Sequence, residues 1–98
     1  MKQVPMETEL ETIRKEIDAI DDQILDLLQK RCALCRSIAH IKRAGHCAIH
    51  DPSREAAILA RLTARTDPSL GADVVERIFT EIFSLSRQIQ HHGENRAR

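Results

Sequence analysis

Apolar residues in the first half of the chain recur at alternating steps of three and four, the period of one helical face. The same alternation is typical of coiled coils. The pattern therefore predicts a long amphipathic helix whose apolar face packs against another helix. The stripe consists of Leu10, Ile13, Ile17, Ile20, Ile24, Leu27, Arg31, Leu34, Ile38 and Ile41.

Sparse glycine and proline residues divide the chain into segments at about 8–43, 52–66 and 72–92. Asp51 followed by Pro52 predicts a helix start, because aspartate caps helices and proline favours the first helical position. No stretch alternates with period two long enough to predict a strand. The sequence therefore predicts an all-α fold of one long, one short and one medium helix.

We expect residues 1–98 to form a single helical domain with flexible tails at about 1–8 and 93–98. A helix over about 10–43 would be roughly 50 Å long, whereas a compact domain of this size is only about 35 Å across. Two shorter helices cannot cover the whole stripe. An intertwined helical homodimer is the favoured interpretation, and a bent or broken first helix in a monomer is the alternative.

Composition narrows the classes of function. Fifteen basic residues balance fifteen acidic ones, and Phe79 and Phe83 are the only aromatic residues. This argues against nucleic-acid binding by a basic surface or a stacking platform. No apolar run is long enough for a membrane span, and the first ten residues lack the apolar core of a secretion signal. Three cysteines argue against a disulfide scaffold and favour the cytoplasm.

Two cations of the first helix suggest an anion site. Arg31 interrupts the apolar stripe, and a buried guanidinium is costly unless an anion meets it. Lys42 lies about 20° around the helix and roughly 16 Å further along, so both side chains could converge on one small anion. An internal ion pair is the alternative. Arg14 lies roughly 25 Å before Arg31 and about 100° around, so it could reach only a partner subunit's site.

Polar residues also occupy inward positions of the other two helices. Ser86 and Gln90 continue the apolar face of the third helix, where they either satisfy each other or line a polar pocket. Asp51, Arg54 and Glu55 lie in the first turn of the second helix. Asp51 has a plain alternative role as the helix cap, and Arg54 and Glu55 could be surface charges.

Cysteine and histidine spacing raises a second kind of site. Cys32 and Cys35 have CxxC spacing, and His46, Cys47 and His50 follow. Zinc needs four well-placed ligands, but this pair lies in mid-helix without a turn, so small core residues are the favoured interpretation. We predict no metal site. No nucleophile arrangement and no glycine-rich phosphate loop are discernible.

Taken in order, several short motifs resemble the all-helical class of chorismate mutases, and the resemblance covers about residues 10–92. Each motif is weak alone, but their order and spacing on three helices are specific. The matching segments are Ile13–Ile17 with Ile20-Asp21, Leu27–Arg31, Ile38–Lys42, Asp51–Glu55 and Ile82–Gln90.

This resemblance implies a homodimer with two equivalent, shared active sites. It implies conversion of chorismate to prephenate, an intramolecular rearrangement that feeds aromatic amino-acid biosynthesis. Such a reaction needs no nucleophile, metal or cofactor. It needs a dianionic substrate held in a reactive conformation and donors aimed at the breaking ether bond.

The resemblance also assigns roles to the basic and amide side chains. Arg31 and Arg14 of the partner subunit would bind the substrate carboxylates. Lys42 and Gln90 would donate hydrogen bonds to the ether oxygen as negative charge develops there. Arg54 would help to hold the substrate.

Three further residues complete the implied site. Ser86 would help to hold the substrate, and Asp51 and Glu55 would contact its ring hydroxyl. The two carboxylates would also suit an ammonium group, so an amino-substituted chorismate is an alternative substrate. Isochorismate–pyruvate lyase, a relative on the same fold, is the other enzymatic alternative, although Asp51 and Ser86 favour the mutase.

A hypothesis of another class is a non-catalytic helical dimerisation module. It explains the apolar stripe but not the inward-facing Arg31, Lys42, Ser86 and Gln90. With no regulatory domain in the 98 residues, any feedback control would come from a partner enzyme.

Overall fold

The computed structural model describes residues 6–45 and 50–96, and side chains as far as His91. It contains three α-helices: α1 (Met6–Gly45), α2 (Pro52–Ala64) and α3 (Ala72–Arg96). No strand occurs in these two described ranges. The predicted all-α fold of one long, one short and one medium helix is confirmed.

Helix boundaries differ from the predicted ones by a few residues. α1 begins at Met6 and ends at Gly45, two residues beyond the predicted limit at each end. α3 continues through Gly93 to Arg96, although the pattern predicts an end near 92. An interior glycine costs a helix only about 1 kcal/mol, so Gly93 is a weak stop signal. Residues 1–5, 46–49 and 97–98 lie outside the description.

The chain divides into two units, Met1–Arg31 and Cys32–Arg98. In the first unit, the described residues belong to α1, and the large apolar side chains of its stripe are exposed. Their exposed fractions run from 43% at Leu10 to 62% at Leu27. Regularly spaced leucine and isoleucine side chains in solvent form an exposed apolar face of α1.

The start of α2 is built by Asp51. Its Oδ1 accepts a hydrogen bond from the Arg54 backbone N–H at 3.0 Å, and its carbonyl accepts one from the Glu55 N–H at 3.2 Å. Pro52 occupies the first helical position, where its missing N–H costs nothing. The predicted capping role of Asp51 is confirmed.

A short turn links α2 to α3. Asp67 Oδ1 accepts a hydrogen bond from the Ser69 N–H at 3.0 Å, and the Asp67 carbonyl accepts from Leu70 and Gly71. Hydrogen bonds from the Ser69 backbone and side chain lower the pKa of Asp67 below its ordinary value of 3.8. Gly71 has a φ of +93°, which suits glycine because it has no Cβ.

α2 packs against α3 in the second unit. The rings of Phe79 and Phe83 lie 6.1 Å apart at a tilt of 58°, a favourable aromatic geometry. The core is small, so the burial of each of its residues contributes strongly to the stability of the fold. The buried apolar residues are Cys35, Ala39, Ile58, Val75 and Phe83.

None of the helices described here combines the length and apolar character needed to cross a membrane.

Candidate active site

Two polar side chains extend the buried face of α3. Ser86 and Gln90 are 9% and 8% exposed, and they follow the apolar core residue Phe83 on the same helix. Ser86 Oγ donates a hydrogen bond to the Ile82 carbonyl at 2.9 Å. Their predicted inward orientation is confirmed. A turn of helix that could have carried leucines instead carries a hydroxyl and an amide.

The amide oxygen of Gln90 is the most unusual atom on this face. Gln90 Oε1 is buried, and no hydrogen-bond partner lies within reach among the described residues. An unsatisfied buried polar group costs about 1–3 kcal/mol. Rotation of the terminal amide by 180° exchanges oxygen and nitrogen, so this head can present either an acceptor or a donor to a ligand.

Glu55 of α2 is tied to α3 by an ion pair. Arg87 Nη1 lies 2.8 Å from Glu55 Oε1 and 2.6 Å from Oε2. The side chains are 33% and 25% exposed, so water only partly screens the pair. His50 Nε2 lies 3.7 Å from Glu55 Oε2. The Glu55 carboxylate is therefore held in place beside the residue that follows Ser86.

Asp51 and Arg54 are exposed at the start of α2. Asp51 uses Oδ1 to cap the helix, which fixes the orientation of the carboxylate and leaves Oδ2 for another donor. Arg54 lies in the same first turn, so its side chain is attached to a backbone that the helix holds rigid. The structure thus places Asp51, Arg54 and Glu55 on one helical turn.

The cations of α1 differ in exposure. Lys42 lies in the last turn and is half-buried. Its neighbour Arg43 is also half-buried, and Arg43 Nη1 has no hydrogen-bond partner among the described groups. In the first unit, Arg31 is half-buried and Arg14 is exposed.

The cysteines give no sign of a metal centre. Cys32 is half-buried and Cys35 is buried, and no disulfide joins the two. Across the described parts of the chain, no three His, Cys, Asp or Glu side chains gather closely enough to hold a metal ion. Of the other residues of the zinc alternative, His46 and Cys47 lie outside those parts, whereas His50 lies near Glu55.

Sequence reasoning missed two residues that contact Glu55. Arg87 lies in the motif Ile82–Gln90 but carries no role there, and His50 belongs to a loop without an assigned function. Which cation of α3 meets Glu55 depends on the rotation of α2 against α3. No spacing rule sets that rotation, so the sequence holds no signal for this pair.

Comparison with known proteins identifies the family. Residues 13–91 match the family model for chorismate mutase type II. The match spans all three helices and contains the residues Arg14, Arg31, Lys42, Asp51, Arg54, Glu55, Ser86 and Gln90. The chain therefore belongs to the type II chorismate mutase family.

Relatives and solved structures agree with this assignment. The chain is 30% identical over 92 residues to the chorismate mutase of Methanocaldococcus jannaschii, covering 89% of this chain and 93% of that protein. It is 36% identical over 86 residues to a bifunctional chorismate mutase/prephenate dehydratase of Aquifex aeolicus, covering 84% of this chain. The Helicobacter pylori chorismate mutase, solved in complex with prephenate, superposes with a TM-score of 0.82 at 38% identity, covering 90% of this chain and 96% of that one.

The relatives differ in length. This chain spans only 24% of the bifunctional Aquifex aeolicus protein, whereas it spans nearly all of the Methanocaldococcus jannaschii enzyme.

Proposed function

We propose that this protein is a chorismate mutase that rearranges chorismate to prephenate without a covalent intermediate. The ether C–O bond of the substrate breaks as a new C–C bond forms within the same molecule. The protein's task is to hold the dianionic substrate in a compact conformation and to stabilise charge at the ether oxygen. The observation that carries the proposal is the buried polar face of α3 in a chain of this family.

Gln90 supports this function most directly. Its buried amide oxygen has no protein partner among the described residues, and rotation of the amide by 180° would place an N–H donor at the same position. We assign its N–H as a donor to the ether oxygen, with the half-buried Lys42 as the second donor. Both interactions strengthen as negative charge develops, which is the condition for accelerating the reaction.

Ser86 and the first turn of α2 supply the remaining contacts in one chain. Asp51 Oδ2 and the Glu55 carboxylate would accept a hydrogen bond from the ring hydroxyl. Arg54 and Ser86 would hold the substrate. The helix cap holds the Asp51 carboxylate in place, and the ion pair holds the Glu55 carboxylate. This supports the proposal that both are already oriented to accept hydrogen bonds before the substrate binds.

We propose that Arg31 and Arg14 of the partner subunit bind the two carboxylates, in a homodimer with shared sites. The exposed stripe of α1 supports dimerisation, since Ile17, Ile20 and Ile24 are each at least 50% exposed. A second copy would supply the apolar surface that covers these side chains. The odd number of three cysteines supports a reducing, cytoplasmic setting.

The test is a product assay on the purified chain. Chorismate and isochorismate are offered separately in the presence of EDTA, and products are identified by mass and chromatography. We expect prephenate from chorismate. Pyruvate release from isochorismate alone would instead make the protein a lyase. No turnover, together with no thermal stabilisation by a cyclic dicarboxylate of chorismate's shape, would favour the dimerisation module, because a ligand that binds the folded state raises its melting temperature.

A further inference from the structure

Glu55 enters the proposed site as half of an ion pair. Both of its carboxylate oxygens lie within hydrogen-bond distance of the same Arg87 nitrogen, at 2.8 and 2.6 Å. Both side chains are part-buried. The negative charge of Glu55 is therefore compensated by Arg87 before any ligand arrives.

The Glu55 carboxylate can still accept hydrogen bonds when Arg87 compensates its charge. A carboxylate has about four lone-pair directions, and Arg87 approaches from one side. A donor on the other side would share the carboxylate and lie about 5 Å from the guanidinium, given hydrogen bonds of ordinary length. A neutral donor at that point depends little on the net charge, whereas for a cationic donor the repulsion by Arg87 cancels much of the attraction by Glu55.

We propose that Arg87 is a specificity-determining residue that selects a ring hydroxyl over a ring ammonium at this position. The inference rests on the proposed function, because it assigns Glu55 to the hydroxyl end of the substrate. Without Arg87, the carboxylates of Asp51 and Glu55 would form an anionic site that suits an amino-substituted chorismate. With Arg87 present, the negative charge of Glu55 is compensated and only that of Asp51 remains to attract an ammonium group.

The experiment compares two substrates on matched variants. The ratio of kcat/KM for chorismate to that for the analogue with an amino group in place of the ring hydroxyl is measured for the native protein and for Arg87→Met. Juxtaposed like charges oppose binding, so we expect Arg87→Met to shift the ratio about tenfold or more toward the amino compound. Arg87→Lys keeps the charge and should retain most of the native preference.

Controls separate specificity from folding. Arg77, an exposed cation on the same helix, is replaced in Arg77→Met, which should leave the ratio unchanged. A purely structural role of Arg87 would lower turnover of both compounds equally, and an unchanged ratio in Arg87→Met would overturn the proposal. If Arg87→Met fails to fold, Arg87→Gln, which keeps a donor but no charge, provides the same comparison.

Failure of the proposed function can be distinguished from failure of this inference. If the native protein turns over neither compound, the mutase assignment fails. The preference is then measured as the ratio of apparent Kd values from thermal shifts with both compounds. A ratio that moves toward the amino compound on Arg87→Met supports the inference even then, and absence of binding overturns it.

Discussion

Ser86 and Gln90 lie one helical turn apart on the same face of α3, and both are more than nine-tenths buried. Ser86 satisfies its hydroxyl on the backbone of its own helix, whereas the Gln90 amide oxygen finds no partner in the described structure. One of these neighbours is thus satisfied within its own helix, whereas the other buries an acceptor that the described residues leave unsatisfied.

Replacing Gln90 with leucine should separate stability from activity. Gln90→Leu removes an unsatisfied buried polar group, so we expect the free energy of unfolding to rise by about 1–3 kcal/mol, measured by urea denaturation at fixed protein concentration. The same change removes a donor to the ether oxygen and should lower kcat about 10²–10³-fold. Lower stability with an unchanged kcat would contradict both halves of the argument.

Lys42→Ala tests the second donor. If Lys42 acts on developing charge, kcat should fall about 10²–10³-fold with a smaller rise in KM, because the interaction strengthens in the transition state. Steady-state kinetics on chorismate measure both parameters. Arg36→Ala, an exposed cation of the same helix, is the control and should behave like the native protein. A Lys42 variant with native kcat would remove this residue from the catalytic role.

Asp51 combines a cap with a proposed substrate contact, and two substitutions separate them. Asp51→Ala loses both and should cost about 1 kcal/mol of stability in addition to activity. Asp51→Ser keeps a capping oxygen but not the carboxylate, so it should retain stability while raising KM. Thermal melts and kinetics of the two variants provide the comparison. Equal kinetics for Asp51→Ser and the native chain would restrict Asp51 to capping.

Subunit mixing tests whether each site is shared. Arg14→Ala and Lys42→Ala homodimers should both be badly impaired. An equal mixture is unfolded and refolded so that subunits pair at random, and mixed dimers then carry one intact site each. Activity should return to about a quarter of native, as expected of a closed two-fold dimer. Absence of recovery after mixing is verified by mass spectrometry would place Arg14 outside the partner's site.

The turn between α2 and α3 should contribute a pH-dependent term to stability. The pKa of Asp67 is lowered by hydrogen bonds from Ser69, so the folded state favours the ionised carboxylate. This contribution is complete above the ordinary value of 3.8 and is lost as the pH falls through the lowered folded pKa. Carbon-detected NMR titration should show the depression, and Ser69→Ala should reduce it. A pKa at or above the ordinary value would exclude these bonds in solution.

Much of the fold follows from local pattern, whereas the site follows only in part. The apolar stripe of α1 and the helix cap at Asp51 can be predicted from residues close together in the sequence. The burial of Ser86 and Gln90 can be predicted as well, because they continue the apolar face of α3. The Glu55–Arg87 pair is different, because it links residues 32 positions apart through the packing angle of two helices. Local sequence does not determine that angle.

The uncovered apolar stripe of α1 also has a consequence for the living cell. If the proposed homodimer covers this stripe, a newly made chain presents Ile13, Ile17 and Ile20 to proteases and to other nascent chains until it meets a second copy. The rate of dimerisation depends on the square of the chain concentration. At low concentration, each chain therefore stays unpaired for longer. The abundance of this protein should therefore rise more steeply than its rate of synthesis, and low expression should be penalised by degradation rather than simply scaled down.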